Sequence, residues 1–160
     1  AALAERLAGR GADLVLNYRD KRARAEGVAE RVSALGRRAV LVRADVTEPD
    51  DVKRMMAETE AAFGGLDLLV LNASGGLEKH RAADYAMRLN KDAQVSLVTQ
   101  ALPLMPPGSR VVFVTSHLAH FYGQTPGLPG YEPVAASKRA GEDALRARAL
   151  VKVADIARAT

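Results

Sequence analysis

Residues 39–65, AVLVRADVTEPDDVKRMMAETEAAFGG, set the fold class of this chain. Ala39 to Val42 form an apolar run of strand length that ends in Asp45-Val46. Thr47 then stands as an N-cap candidate, and Glu48, Asp50 and Asp51 fill the following first turn with acids, which the helix dipole favours. Val52, Met55, Met56, Thr59 and Phe63 recur at helical spacing, and Gly64-Gly65 end the run. A strand followed by a helix and a glycine stop is the building unit of a parallel sheet covered by helices.

The same alternation extends in both directions. Upstream, Leu3 and Leu7 give a short apolar helix face closed by Gly9 and Gly11. Leu14 to Leu16 read as a buried strand ending at Asn17-Tyr18-Arg19, and Ala25, Val28, Val32 and Leu35 mark a helix that stops at Gly36. Downstream, Leu66 to Leu71 are a third strand. The spacing of Ala82, Ala86, Leu89, Ala93 and Leu97 predicts a long helix from about Ala82 to Leu104, broken by Pro106-Pro107-Gly108. Val111 to Val114 are a fourth strand, and the Gly/Pro-rich stretch from Gly123 to Pro133 is a loop leading into a last helix, about Val134 to Leu150. Arg148 to Thr160 read as helical. The expectation is an α/β fold, with residues 1–160 one domain or most of one, and no internal repeat or linker.

Composition narrows the function classes. With 48% hydrophobic and 26% charged residues, the 160-residue chain matches a globular domain that builds one core. Absence of cysteine excludes disulfides and thiolate metal sites and fits a reducing cytoplasm; no metal is implied. No apolar run is long enough to span a membrane, and the first residues are unlike a signal peptide. The net charge of +4 is compatible with phosphate-bearing partners. The positive residues are scattered beside acids, dense only at Lys21 to Arg24 and Arg146 to Arg148, and 4% aromatic content leaves little for base stacking. These features argue against a nucleic acid and leave other phosphate-bearing partners, a dinucleotide among them, open.

Landmarks placed on this frame resemble the short-chain dehydrogenase/reductase family. The segment Tyr131-Glu-Pro-Val-Ala-Ala-Ser-Lys138 is similar to the family's Tyr-x-x-x-Lys helix, with Ala135, Ala136, Ser137 and Lys138 fitting and Val134 where the proton-transferring tyrosine belongs. Asp45-Val46 resembles the adenine-contacting Asp-Val pair. In Leu71-Asn72-Ala73-Ser74-Gly75, Asn72 and Ala73 match the Asn-Asn-Ala-Gly turn that lines the cofactor cleft. Asn90 stands where an asparagine ties a proton-relay water, and Ser116 ends the fourth strand, placed to hydrogen-bond a substrate carbonyl. Each has a plainer reading when taken alone: a capping loop, a solvent-facing amide, a turn serine, a surface lysine. Their order along the chain favours the functional one.

The resemblance implies a Rossmann-type doubly wound parallel sheet and hydride transfer between nicotinamide and a small-molecule carbonyl or alcohol. It assigns catalysis to Ser116, Lys138, Asn90 and a phenol. It assigns cofactor binding to Arg19, Asp45, Val46, Asn72, Ala73 and Lys138. Arg19 resembles the basic residue that pairs with a 2′-phosphate, which prefers NADP over NAD, although Asp20 follows it. A homo-oligomer through the helix near Asn90 and the last helix is implied by resemblance only.

Two departures qualify the match. The family's opening strand and glycine-rich phosphate loop are not found in residues 1–160, nor is a strand after Lys138, and the chain starts at Ala1 inside a helical pattern. The chain is therefore expected to be a fragment or processed product whose sheet is incomplete, because the missing strand is central in the 3-2-1-4-5 order. Valine carries no exchangeable proton. Tyr131, in the loop that Pro133 separates from the helix, is the replacement candidate, with Tyr122, His117 and His120 as further donors. The alternative to an oxidoreductase is a catalytically impaired binding or regulatory protein on the same fold, or a non-functional fragment.

Overall fold

The computed structural model describes residues 1–77, 82, 84–124 and 126–147. They fall into two compact units, Ala1–Gly64 and Gly65–Thr160.

The first unit runs α1 (Ala2–Ala8), β1 (Leu14–Tyr18), α2 (Arg22–Ala34), β2 (Ala39–Arg43) and α3 (Pro49–Phe63). β1 and β2 pair in parallel, from Leu14 opposite Ala39 to Tyr18 opposite Arg43. Ala8, Val28 and Val32 make a buried cluster, against which Ala4, Leu14, Leu16 and Ala39 pack. On α3 the predicted face is buried at Val52, Met55, Met56 and Thr59, while Phe63 is half-buried under the guanidinium of Arg38. Gly64 closes α3 at φ 75°, a left-handed conformation that suits a residue without Cβ.

Three expectations for this unit change. Leu35 lies beyond the end of α2 and is 50% exposed, since the chain has already left the helical face that buries Val28 and Val32. Thr47 does not cap α3. The helix starts at Pro49, which needs no N–H partner at that position, and Thr47 instead donates its amide and hydroxyl to Asp45 Oδ1. Leu14 to Leu16 are half-buried rather than buried, in a sheet of two strands.

The second unit runs β3 (Leu68–Leu71), α4 (Tyr85–Met87), a π-helical turn (Arg88–Asp92), α5 (Ala93–Ala101), a 3₁₀ turn (Leu102–Leu104), β4 (Arg110–Phe113), α6 (His117–His120) and α7 (Glu132–Ala147). β3 and β4 are parallel, from Leu68 opposite Arg110 to Leu71 opposite Phe113. The two pairs form separate two-stranded sheets, as expected for a doubly wound α/β fold lacking its central strand.

The predicted long helix is present from Tyr85, with Ala82 outside it, and is wound three ways along its length. α7 lies against the π-helical turn so closely that a Cβ on Gly141 would collide with the carbonyl oxygen of Asn90. α7 begins at Glu132, two residues before the expected Val134, with Pro133 in its first turn. The expected end at Leu150 and the tail Arg148 to Thr160 lie outside the described residues. Short α6 was not expected: Ser116 caps it by accepting from the Leu118 amide at 3.3 Å. Among the described residues no helix is long and apolar enough to cross a membrane.

Candidate active site

In the first unit the candidate residues gather where β1 and β2 end. Arg19 follows β1; its Nε is 2.7 Å from Asp20 and its Nη1 is 4.0 Å from Asp45. Arg43, at the end of β2, donates to the Arg19 carbonyl at 3.2 Å. The Asp45 amide donates to Asp51 Oδ2 at 2.8 Å, and Arg54 donates to Asp51 Oδ1 at 2.8 Å. These bonds hold the Asp51 carboxyl below the ordinary range, the Asp45 amide contributing most. Val46 is 8% exposed, so its side chain belongs to the core and only its backbone can meet a ligand. The corner is thus an alternating set of cations and carboxylates that already satisfy one another.

In the second unit the polar groups lie inside. Asn90, carried by the π-helical turn, is 1% exposed, which excludes the solvent-facing reading. Its amide nitrogen donates to the Gly75 carbonyl and to Ser137 Oγ, both at 2.9 Å, and its oxygen receives the Gly75 amide at 3.3 Å. Ser137 donates its own hydroxyl hydrogen to the Val134 carbonyl at 2.9 Å. Asn90 therefore fastens the loop after β3 to α7, with both amide hydrogens engaged. Gln94, fully buried, secures the same loop by donating to the carbonyls of Ala73 and Leu89. Asn72 itself is exposed, and Ala73 half-buried.

Lys138 is 6% exposed, and its ammonium donates to the Val114 carbonyl at 3.2 Å. Burial pushes it below the ordinary lysine range, with Glu142 one turn further on working against the shift. Val114 stands two residues before Ser116, so the lysine is anchored to the segment that carries the serine. Ser116 is half-buried; its oxygen is occupied as the α6 cap, while its hydroxyl hydrogen remains a donor.

Val134, at the position of the family's tyrosine, is 3% exposed. Tyr131 sits immediately before α7, its carbonyl accepting from the Val134 and Ala135 amides at 3.0 Å each. It lines a cleft of about 430 Å³ together with Ser74, Gly75, Leu77 and Val134. Tyr131 also borders a smaller cavity of about 60 Å³ that includes Tyr122. His120 is directed instead toward Glu142, 3.5 Å away, and packs edge-on against Phe121.

Sequence reasoning passed over Gln94, Thr115, Gly141 and Glu142. The one signal available was the four-residue interval between Lys138 and Glu142, which puts opposite charges on one helix face.

The family model for enoyl-(acyl carrier protein) reductase matches residues 1–156. Hydroxynaphthalene reductase arp2 of Aspergillus fumigatus is 33% identical over 150 residues, which cover 89% of this chain and 52% of that protein. Versicolorin reductase 1 of Aspergillus parasiticus is 32% identical over 156 residues, 94% of this chain and 58% of that protein. The chain thus spans about half the length of the curated relatives it matches. A short chain dehydrogenase from Burkholderia cenocepacia, solved in complex with NADP, aligns at a TM-score of 0.80 and 33% identity, covering 91% of this chain and 60% of that one. With its parallel strand pairs and the match over nearly its whole length, the chain belongs to the short-chain dehydrogenase/reductase family.

Proposed function

We propose that this chain serves an NAD(P)-dependent oxidoreductase, transferring hydride between nicotinamide and a carbonyl or alcohol substrate. The observation that carries the proposal is Lys138: a lysine held inside the second unit, its charge form disfavoured by burial, at the strand end that presents Ser116. Of the three ammonium hydrogens, one is engaged by Val114, which leaves donors for the hydroxyls of a ribose. The donor set of this unit therefore fits a dinucleotide.

The bound cofactor supplies or accepts the hydride. Ser116 orients the substrate oxygen with its free hydroxyl hydrogen. The Tyr131 phenol moves the proton at that oxygen, in the cleft it shares with Val134, and the Lys138 charge favours its phenolate. Asn90 holds the Gly75 loop and α7 in fixed relation, which keeps the cleft open to the cofactor. We assign Asn72 and Ala73, which precede the cleft residues Ser74 and Gly75 in the chain, to cofactor binding as well.

In the first unit we assign the adenosine end to Arg19, Asp45 and Val46, with NADP preferred over NAD. The NADP complex of the Burkholderia relative supports this choice. A 2′-phosphate would compete with Asp20 and Asp45 for the Arg19 guanidinium, so the preference is modest. Residues 1–160 are proposed as part of one NAD(P)-binding domain, cytoplasmic and homo-oligomeric, acting on a small molecule and on neither nucleic acid nor membrane. The alternative, a binding or regulatory protein without catalysis, draws on Val134, whose buried side chain has no proton to give.

Fluorescence titration with NADPH and NADH decides between them. Tighter binding of NADPH is expected, with the difference lost in Arg19→Asp. Tyr131→Phe is expected to lower kcat by about 10²–10⁴-fold with cofactor affinity retained. Cofactor binding with no turnover by the wild-type chain would favour the regulatory alternative. No binding of either nucleotide by the folded chain would sink the oxidoreductase proposal.

A further inference from the structure

Glu142 is a buried acid with no part in the mechanism above. It lies one turn beyond Lys138 on α7 and is 6% exposed. A carboxylate withdrawn from water is strongly disfavoured unless it is hydrogen-bonded or paired. Oε1 accepts from the Thr115 hydroxyl. Oε2 is buried without a hydrogen bond and faces His120 Nδ1 at 3.5 Å and Arg146 Nη2 at 4.0 Å.

Thr115 stands between Val114, whose carbonyl receives Lys138, and Ser116, which starts α6. Two side chains one turn apart on α7 therefore grip two consecutive residues of the segment leaving β4, and the third residue of that segment is the candidate catalytic serine. α6 is tied to α7 as well, because Arg139 donates to the His120 carbonyl at 2.9 Å.

We propose that Glu142 is a positioning residue: its carboxylate holds Thr115, and through Thr115 it sets the backbone that presents Ser116 beside the anchored Lys138. What Ser116 and Lys138 do rests on the oxidoreductase proposal; how they are held rests on the geometry alone. A buried acid kept only for packing would affect stability and nothing else. A positioning acid also changes the lysine and the serine.

Three measurements on the full chain test this. In an NMR titration of the Lys138 side chain, Glu142→Gln is expected to move the midpoint down, because the carboxylate favours the ammonium. An unchanged midpoint in a folded variant overturns the proposal. Hydrogen exchange at the Leu118 amide, whose acceptor is Ser116 Oγ, is expected to quicken about tenfold in Thr115→Val, a loss equivalent to one hydrogen bond. Thr115→Ser retains the hydroxyl and is expected to restore the protection; equal exchange in the two variants counts against the idea. In turnover of NADPH with a carbonyl substrate, Glu142→Leu, which removes the acceptor of the Thr115 hydroxyl, is expected to lower kcat about tenfold or more, with the KM for NADPH within about twofold. Wild-type kcat in that variant overturns the proposal. A wild-type chain with no turnover would sink the oxidoreductase reading instead, and the first two measurements would still decide the positioning.

Discussion

Both units are built on one pair of parallel strands, yet residues 1–64 keep their charged groups at the surface while residues 65–160 take several inside. At the end of β1 and β2, Arg19, Asp20, Asp51 and Arg54 pair in contact with solvent, where each pair contributes little and can rearrange around a phosphate. In the second unit Asn90, Gln94, Ser137, Lys138 and Glu142 are each no more than 6% exposed. Every one of these needs a partner of fixed geometry, because an unmet polar group in the interior costs far more than a hydrogen bond contributes. A surface network binds adaptably. An interior network specifies one arrangement, which is what proton transfer between fixed groups requires.

The sharpest way to break this contrast is to force α7 away from the π-helical turn. Gly141→Val is expected to cost about 3 kcal/mol in urea unfolding, because its Cβ would meet the backbone carbonyl of Asn90, which cannot step aside as a side chain could. A near-neutral result would show that the turn is not pinned by α7. Asn90→Leu removes the partners of the Gly75 amide and carbonyl and is expected to cost about 2 kcal/mol. A loss below about 0.5 kcal/mol would mean that water replaces the side chain and that the interior network is not rigid. In the first unit Arg54→Ala, which cuts the surface links to Asp51 and Glu58, is expected to leave the urea midpoint of unfolding nearly unchanged.

The smallest effects come from pH, and they fall at opposite ends of the scale. Asp51 is held below its ordinary 3.8, so its contribution to the first unit is present above that pH and is lost as pH falls through the lowered value. Lys138 is held below its ordinary 10.5. At lower pH it is charged both folded and unfolded, and the penalty for burying it is fully present. That penalty fades as pH rises between the lowered value and 10.5, so the second unit gains stability there. Hydrogen exchange followed residue by residue across pH would resolve the two windows. The same alkaline gain in Lys138→Met would assign it to another group.

Much of the frame is legible in the sequence. Val52, Met55, Met56 and Thr59 announce a buried helix face by their spacing, and the structure buries all four. Burial of Asn90 could be read from Leu89 and Ala93 beside it. Thr47 misled because a threonine before an acidic turn is an N-cap in most settings; Pro49 settled the start of α3 instead. Leu35 misled because the spacing continues one residue past Ala34, where α2 ends ahead of the turn at Gly36.

The sequence by itself determined the alternation of strands and helices, the faces those helices bury and the family resemblance at Asn90, Ser116 and Lys138, since all of these follow from spacing and residue type along a local stretch. Only the tertiary structure decided that residues 88–92 wind as a π-helical turn, that Gly141 must lack a side chain and that Glu142 reaches Thr115 from inside α7. The physical reason is shared by all three. Each depends on which atoms of α7 press against residues 24 to 51 positions earlier in the chain, and no periodicity within a single element carries that information.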